Sequence, residues 1–126
     1  MITQEAFERA IRSYWDVRDS QAAKQLVAGK VDAGARGAVT GGAHLNAVAS
    51  LLEAVFVDAG FPPRTVRRSA SVELPGYYRP TKKWDLVVVD NRRLVAAIEF
   101  KSQVGPSFGN NFNNRAEEAL GNAIDI

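Results

Sequence analysis

The chain reads Trp84-Asp85-Leu86-Val87-Val88-Val89-Asp90-Asn91-Arg92-Arg93-Leu94-Val95-Ala96-Ala97-Ile98-Glu99-Phe100-Lys101 across two apolar runs that are separated by four polar residues. Runs rich in β-branched residues favour strands and Asp90-Asn91 favours a turn, so this stretch predicts a β-hairpin. Side chains alternate along an extended strand, which places Glu99 and Lys101 on one face. We therefore expect a carboxylate and an ammonium side by side at the end of the hairpin.

The position of Asp85 depends on the length of the turn. If the loop comprises the three residues Asn91–Arg93, Asp90 pairs with Leu94 and Asp85 falls directly opposite Glu99. Cross-strand neighbours of this kind have Cβ atoms about 4.5–5.5 Å apart, close enough for both carboxylates to bind one cation. A loop of four residues would put Asp85 on the wrong face. The candidate site therefore predicts the three-residue loop.

Two carboxylates and an ammonium in this arrangement suit the metal-dependent hydrolysis of a phosphodiester. The phosphodiester is an anion that repels hydroxide, and Mg²⁺ held by two carboxylate oxygens supplies positive charge and activates a water molecule. Lys101 could orient or deprotonate that water and stabilise the transition state, and Gln103 is a further donor. Glu-x-Lys also occurs as a solvated ion pair, so the motif alone leaves that alternative open.

Composition narrows the possible functions. The 126 residues suit a single domain over 1–126. The absence of cysteine excludes zinc fingers, disulfides and thiol nucleophiles, and a single histidine excludes histidine-rich metal sites. We expect that histidine, His44, to help start a helix. With no signal peptide and no run of eighteen apolar residues, the sequence predicts a cytoplasmic protein with no membrane partner.

Positive charge is concentrated in one part of the chain. The whole chain carries a net charge of +2, whereas residues 64–101 hold nine Lys/Arg against four Asp/Glu. Tyr77, Tyr78 and Trp84 are interleaved with these cations, a combination that suits a polyanionic partner. An ordinary solvated surface is the alternative interpretation.

Helical patterns flank the strands. The first predicted helix begins at Thr3 and extends as far as Ala28, and the glycine-rich segment Gly29–Gly42 is predicted to be a loop. The second helix is predicted over His44–Ala59, with one apolar stripe typical of a core element. Glu53 lies at the edge of that stripe.

The remaining elements are a strand, a loop and a last helix. Arg67–Glu73 is predicted to form the first strand, ahead of the hairpin. Gly105–Asn114 is predicted to be a loop in which Asn114, with Glu117 three residues later, caps the following helix. Asparagine amides suit base edges or phosphates, so the other loop asparagines are candidate DNA contacts. They are Asn110, Asn111 and Asn113.

Two long stretches of the chain carry a resemblance to a known family. They are Glu73-Leu74-Pro75-Gly76-Tyr77-Tyr78-Arg79-Pro80-Thr81-Lys82-Lys83-Trp84-Asp85-Leu86 and Ile98-Glu99-Phe100-Lys101-Ser102-Gln103-Val104-Gly105-Pro106-Ser107-Phe108-Gly109-Asn110-Asn111-Phe112-Asn113-Asn114-Arg115. With Ala38-Val39-Thr40-Gly41-Gly42, they resemble the type II restriction endonucleases of the XhoI family over roughly residues 30–126.

That family belongs to the PD-(D/E)xK nucleases. The resemblance implies that Asp85, Glu99 and Lys101 are catalytic, with Trp84 in place of the motif's proline. It further implies a Mg²⁺-dependent homodimer that cuts double-stranded DNA within the palindrome CTCGAG. In several nucleases of this superfamily an acid on the second helix reaches the metal, so Glu53 is a further candidate ligand, with an edge salt bridge as the alternative.

The resemblance also directs the choice of candidate DNA contacts. Besides the three loop asparagines, they are Arg79, Lys82, Lys83, Gln103 and Arg115.

The predicted element order is helix, helix, three strands and a helix, which indicates an α/β fold with an antiparallel meander flanked by helices. The resembled core has a fourth strand after the last helix, whereas this chain stops at Ile126. We therefore expect an N-terminal portion of a longer enzyme. A DNA repair or junction-resolving nuclease of the same superfamily and an inactive DNA-binding fragment remain the alternatives.

Overall fold

A computed structural model describes residues 1–27, 43–68, 72–102 and 108–125. They fall into two compact units, residues 1–63 and residues 64–126. In chain order the helices are α1 (Gln4–Val27), α2 (Asn46–Asp58) and α3 (Phe108–Ile124), and the strands are β1 (Val66–Arg68), β2 (Glu73–Leu74), β3 (Lys82–Lys83), β4 (Leu86–Asp90) and β5 (Arg93–Ile98). Within these residues no helix is long and apolar enough to cross a membrane.

The first unit contains the two predicted helices, and both predictions are confirmed to within two residues. The Thr3 side-chain oxygen accepts a hydrogen bond from the Ala6 N–H at 3.2 Å, which satisfies one free donor of the first turn of α1. A 3₁₀ turn that contains His44 leads into α2, as expected. His44 is buried, and its ring packs edge-on against Tyr14 at 5.2 Å. Residues 29–42, where a loop was predicted, lie outside the described residues.

The second unit is built on a three-stranded antiparallel sheet in the order β1-β4-β5. Strands β2 and β3 form a separate antiparallel pair. The prediction of one continuous strand over Arg67–Glu73 is therefore wrong, because β1 pairs with β4 whereas β2 pairs with β3. The antiparallel three-stranded arrangement itself is confirmed.

The core of this unit lies on β4. Leu86, Val87 and Val88 are each at most 1% exposed, as a central strand covered on both faces requires. Val87 belongs to a cluster with Val72 and Trp84. This apolar packing holds the central strand in place, and the candidate carboxylate Asp85 directly precedes it.

The β4–β5 connection has a shorter turn than predicted, and a bulge in β5 compensates for the missing residue. Asp90 pairs with Arg93, so the turn has two residues rather than three. Asn91 and Arg92 have φ values of 47° and 63°, the backbone of the two-residue turns that match strand twist. A β-bulge follows, since Val88 pairs with Ala96 while Val89 pairs with Leu94. The additional residue in β5, Val95, restores the register that a three-residue loop would have produced.

Helix α3 begins earlier than predicted. It starts at Phe108, so the predicted loop is helical from that residue, and Asn114 lies inside the helix rather than at its cap. Asparagine costs only about 0.7 kcal/mol or less relative to alanine in a helix, which the remaining contacts of the helix can offset. Phe108, Phe112 and Ala116 recur at four-residue spacing, a helical pattern that the asparagine-rich composition obscures.

Asp125, directly after α3, fixes the loop between β2 and β3. Its buried carboxylate accepts hydrogen bonds from the backbone N–H groups of Tyr78 at 2.6 Å and Arg79 at 3.2 Å. The Arg79 guanidinium also pairs with this carboxylate and donates to the Asn122 side chain at 3.2 Å. The Tyr78 hydrogen bond lowers the pKa of Asp125, and although burial opposes this, Arg79 lowers it further. The loop is thus held to the end of α3 by a buried, ionised carboxylate.

Gly76 and Gly121 provide a matched test of this attachment. A Cβ on Gly76 would lie 2.6 Å from Asp125 Oδ2 and 2.8 Å from the Arg79 carbonyl oxygen, whereas a Cβ on Gly121 meets nothing within 4 Å. We expect Gly76→Ala to lower the free energy of unfolding by about 1–3 kcal/mol through overpacking. Gly121→Ala, within α3, should raise it by about 0.5–1 kcal/mol. Denaturant unfolding measures both, and equal effects of the two substitutions would contradict the packing described.

Candidate active site

The two candidate carboxylates flank the paired ends of β4 and β5. Leu86 pairs with Ile98 in the last pair of the ladder, and Asp85 and Glu99 are the residues directly beyond it. The Asp85 N–H donates to the Ile98 carbonyl oxygen at 3.0 Å, and the Phe100 N–H donates to Asp85 Oδ2 at 2.6 Å. The register predicted for Leu86 and Ile98 is thus present, and it is reached through a two-residue turn and a bulge.

Both oxygens of Glu99 face ammonium groups. Lys101 Nζ donates to Glu99 Oε1 at 2.8 Å, as the alternation along the strand predicts. Lys82 Nζ, from β3, donates to Glu99 Oε2 at 2.9 Å. Lys82 also lies over the ring of Trp84, with Nζ 4.3 Å from the ring centroid. The carboxylate is therefore paired with one ammonium from β3 and another from the segment after β5.

Helix α3 adds a second acid to this arrangement. Glu118 Oε2 lies 2.9 Å from Lys101 Nζ and 2.9 Å from Arg115 Nη1. Lys101 therefore bridges one carboxylate at the end of the hairpin and another on the helix. We call the five connected side chains the ion-pair cluster; they are Lys82, Glu99, Lys101, Glu118 and Arg115.

Contacts within the cluster keep Glu99, Lys101 and Glu118 charged. Burial raises the pKa of Glu99, but hydrogen bonds from Lys101 and Lys82 outweigh it, and the resulting pKa lies below the usual value. Burial likewise lowers the pKa of Lys101, but hydrogen bonds to Glu99 and Glu118 more than compensate and raise it. The hydrogen bond from Lys101 lowers the pKa of Glu118. Lys101 is therefore an ammonium at neutral pH.

A cavity of about 230 Å³ adjoins the cluster. The small side chains of β5 and α3 leave this space open, and Glu99 and Lys101 line it. The lining residues are Trp84, Ala97, Glu99, Lys101, Ala119, Asn122 and Ala123. The cavity places two charged groups of the candidate site beside a partly apolar space.

The remaining predicted site residues have different surroundings. Lys83 is exposed on β3, Asn113 is exposed on α3, and Arg115 belongs to the ion-pair cluster. Arg79 is bound to Asp125 and Asn122, so its charge is already paired.

The other predicted site residues are Glu53, Asn110, Asn111 and Gln103. Glu53 is half-buried on α2 in the first unit. Asn110 and Asn111 fall within α3, although their side chains lie outside the described part, and Gln103 lies outside the described residues.

Sequence reasoning missed Lys82 as a partner of Glu99 and Asp125 as the anchor of the β2–β3 loop. The sequence did contain a signal for Lys82. It lies two residues before Trp84, and in an extended segment this spacing puts both side chains on the same side. Asp125 had no such signal, since it acts only through the packing of α3. The Lys101–Glu118 contact likewise depends on that packing.

Asp85 and Glu99 are the residues that could hold a divalent metal ion. Within the described ranges, no group of three or more His, Cys, Asp or Glu side chains is arranged to hold one. Mg²⁺, however, is commonly held by one or two carboxylates and completes its octahedron with water and substrate phosphate. The hard oxygens of the two carboxylates beside the Leu86–Ile98 pair fit that requirement, provided that an ammonium group leaves Glu99.

Comparisons with known proteins agree on one family. The model of the family described as restriction endonuclease XhoI matches residues 24–126. The chain is 45% identical over 118 residues to the type II restriction enzyme XhoI of Xanthomonas vasicola, which covers 92% of this chain and 47% of the relative. It is 44% identical over 117 residues to the type II restriction enzyme AbrI of Azospirillum brasilense, covering 93% and 53% respectively.

A third relative is the type II restriction enzyme BstVI of Geobacillus stearothermophilus, 50% identical over 100 residues, covering 75% of this chain and 45% of the relative. The chain thus spans about half the length of these relatives. No solved structure matches it.

The charge state of Glu99 predicts a pH-dependent stability. Because the pKa of Glu99 is lowered from its ordinary value of 4.5, its stabilising contribution is present above that pH and is lost as the pH falls through the folded-state pKa. We expect Glu99→Gln to reduce the free energy of unfolding by about 1.5–3 kcal/mol at pH 7, the usual range for a charged hydrogen bond. The deficit should shrink toward zero as the pH is lowered below 4.5.

Denaturant unfolding between pH 7 and pH 3 measures this difference. The matched control is Glu117→Gln, which removes an exposed acid from α3 that is not a member of the ion-pair cluster. Its effect should be small at every pH. A Glu99→Gln deficit that stays constant over the whole range would contradict the role given to the carboxylate.

Proposed function

The chain belongs to the XhoI restriction endonuclease family, and from that premise we propose that it carries the catalytic centre of a Mg²⁺-dependent type II restriction endonuclease of the PD-(D/E)xK superfamily. The proposed reaction is hydrolysis of phosphodiester bonds in double-stranded DNA within the palindrome CTCGAG. The observation that carries the proposal is that Asp85 and Glu99 both lie directly beyond the last pair of one hairpin, with Lys101 Nζ 2.8 Å from Glu99. Glu53 remains a proposed additional ligand.

Each residue of the hairpin has a separate proposed role. Asp85 and Glu99 would hold the metal ion, which when bound supplies positive charge at the scissile phosphate and activates a water molecule. Asp85 is oriented for this by the hydrogen bond from the Phe100 N–H. Lys101, held as an ammonium by Glu99 and Glu118, would stabilise the negative charge that develops on the phosphate and would not remove a proton.

DNA binding would use the positive charge around the site. Lys83 is exposed beside the site, and the proposed contacts also include Arg79, Arg115 and the asparagines of α3. A palindromic target matches a dimer with two-fold symmetry, in which each copy cuts one strand. We therefore propose a homodimer as the active form.

The catalytic assignment predicts different outcomes for ligand and lysine variants. Asp85→Asn and Glu99→Gln each remove an anionic ligand, so Mg²⁺ affinity and cleavage should both be lost while DNA binding persists. Lys101→Met leaves both carboxylates, so Mg²⁺ should still bind while the cleavage rate falls by roughly 10²–10⁴-fold. Single-turnover cleavage of a CTCGAG duplex with titrated Mg²⁺ separates the two classes.

Asp90→Asn is the matched control for Asp85→Asn, because it makes the same chemical change at the other end of β4. Cleavage by this variant should match the unmodified chain. The assignment is wrong if Asp85→Asn cuts at the normal rate, or if Lys101→Met loses metal instead of rate.

The charge distribution predicts salt-dependent binding. Each phosphate that a lysine or arginine neutralises contributes roughly −0.9 to the slope of log affinity against log salt concentration. We expect Lys83→Gln to weaken binding and to make this slope shallower by roughly one contact. Fluorescence anisotropy of a labelled duplex at several salt concentrations, without Mg²⁺, measures it. A slope near zero for the unmodified chain would contradict a DNA-facing role for residues 64–101.

A further inference from the structure

Lys82 is unusually enclosed for a lysine. Its side chain is only 9% exposed, whereas lysines are almost never buried unless they are paired. It lies in β3, where it pairs with Leu74, and its ammonium is fixed by two contacts: Glu99 Oε2 at 2.9 Å and the Trp84 ring at 4.3 Å. The nitrogen therefore has a defined position at the candidate metal ligand.

That position conflicts with metal binding. Glu99 has two oxygens, and Lys101 and Lys82 take one each. A divalent cation that binds Glu99 must displace an ammonium group or share its oxygen with one. Lys101 has a second carboxylate partner in Glu118 at 2.9 Å, which holds it in place. Lys82 is the ammonium that the geometry singles out for displacement.

We propose that Lys82 is an internal counter-ion that occupies the cation position on Glu99 Oε2 and moves to a DNA phosphate when a divalent ion binds there. The inference rests on the proposed function, because it takes Asp85 and Glu99 as the metal ligands. Lys82 would thereby couple the binding of metal to the binding of DNA.

The coupling follows from electrostatics. An ammonium and a divalent cation on the same carboxylate repel each other, and this repulsion weakens metal binding in the absence of DNA. A lysine head group on a flexible four-carbon stem can swing while its stem stays packed, here against Trp84. A phosphate close to the site offers the ammonium a new anionic partner, so DNA should relieve the repulsion. Linkage then requires that the metal raise DNA affinity by the same factor.

Lys83 is the matched control for Lys82. It is the next residue of the same strand, is exposed, and pairs with Glu73 in the β2–β3 ladder. Replacing either lysine by methionine removes one positive charge from the chain, but only Lys82→Met removes the ammonium from Glu99. Any difference between the two variants therefore reports the contact rather than the net charge.

The experiment titrates Mg²⁺ alone into the unmodified chain and each variant by calorimetry, without DNA. We expect Lys82→Met to bind Mg²⁺ at least about five-fold more tightly than the unmodified chain, the lower end of usual coupling strengths. Lys83→Met should stay within about two-fold of the unmodified chain. Lys82→Gln should bind Mg²⁺ as tightly as Lys82→Met, which guards against a folding defect caused by one of the two new side chains. Circular dichroism checks the fold of each variant.

A second measurement tests the coupling. The factor by which Ca²⁺ raises the affinity for a CTCGAG duplex should be smaller in Lys82→Met than in the unmodified chain. Lys83→Met should bind the duplex more weakly and keep the factor of the unmodified chain.

The opposing outcomes are distinguishable. If Lys82→Met and Lys82→Gln bind Mg²⁺ no more tightly than the unmodified chain, while Glu99→Gln abolishes binding, the counter-ion role is wrong and the metal site stands. If Glu99→Gln leaves the Mg²⁺ affinity of Lys82→Met unchanged, the ion binds elsewhere, and both the counter-ion role and the proposed ligand set fail. Absence of Mg²⁺ binding in every variant would also overturn both.

Discussion

The register of the β4–β5 hairpin is the constraint on which the candidate site depends. A two-residue turn with unbroken pairing would put Asp85 opposite Ile98, on the other face from Glu99. The extra residue at Val95 shifts the pairing by one, so that Leu86 meets Ile98 and the two acids lie directly beyond this pair. A bulge near a functional site re-aims the side chains beyond it, which is its effect here. The two-residue turn and the bulge therefore set the register of the hairpin together.

The same hairpin also explains how charged side chains can lie beside the buried core of the second unit. The buried valines of β4 fix the backbone, and the charged groups project from the ends of the paired region, where they find one another. Partly buried carboxylates stay ionised only when they are paired and hydrogen-bonded. Glu99 meets this condition through Lys82 and Lys101, which lower its pKa despite its burial. Glu99 is thus kept anionic, and the ammonium groups of Lys82 and Lys101 occupy its two oxygens.

Local patterns predicted much of this structure, and long-range packing accounts for what they missed. Alternation along β5 was enough to place Glu99 beside Lys101, and helical spacing was enough for α1 and α2. The pairing of Leu86 with Ile98 was also predicted, but from a wrong turn length, because a bulge leaves no clear local signal in the apolar run of β5. The start of α3 was missed because asparagines favour caps and turns in isolation. Tertiary contacts of the helix override that preference.

Helix α3 shows why composition alone misleads about orientation. An apolar stripe would normally face the core, yet Phe112, Leu120 and Ile124 are each more than 60% exposed. The contacts come instead from a polar stripe with spacings of three, four and three residues: Arg115, Glu118, Asn122 and Asp125. Residues at such spacings share one helix face, so the face that bonds Lys101 also bonds the β2–β3 loop. The position of α3 therefore depends on ion pairs at the candidate site, and the charges that serve Glu99 also help to hold the helix against it.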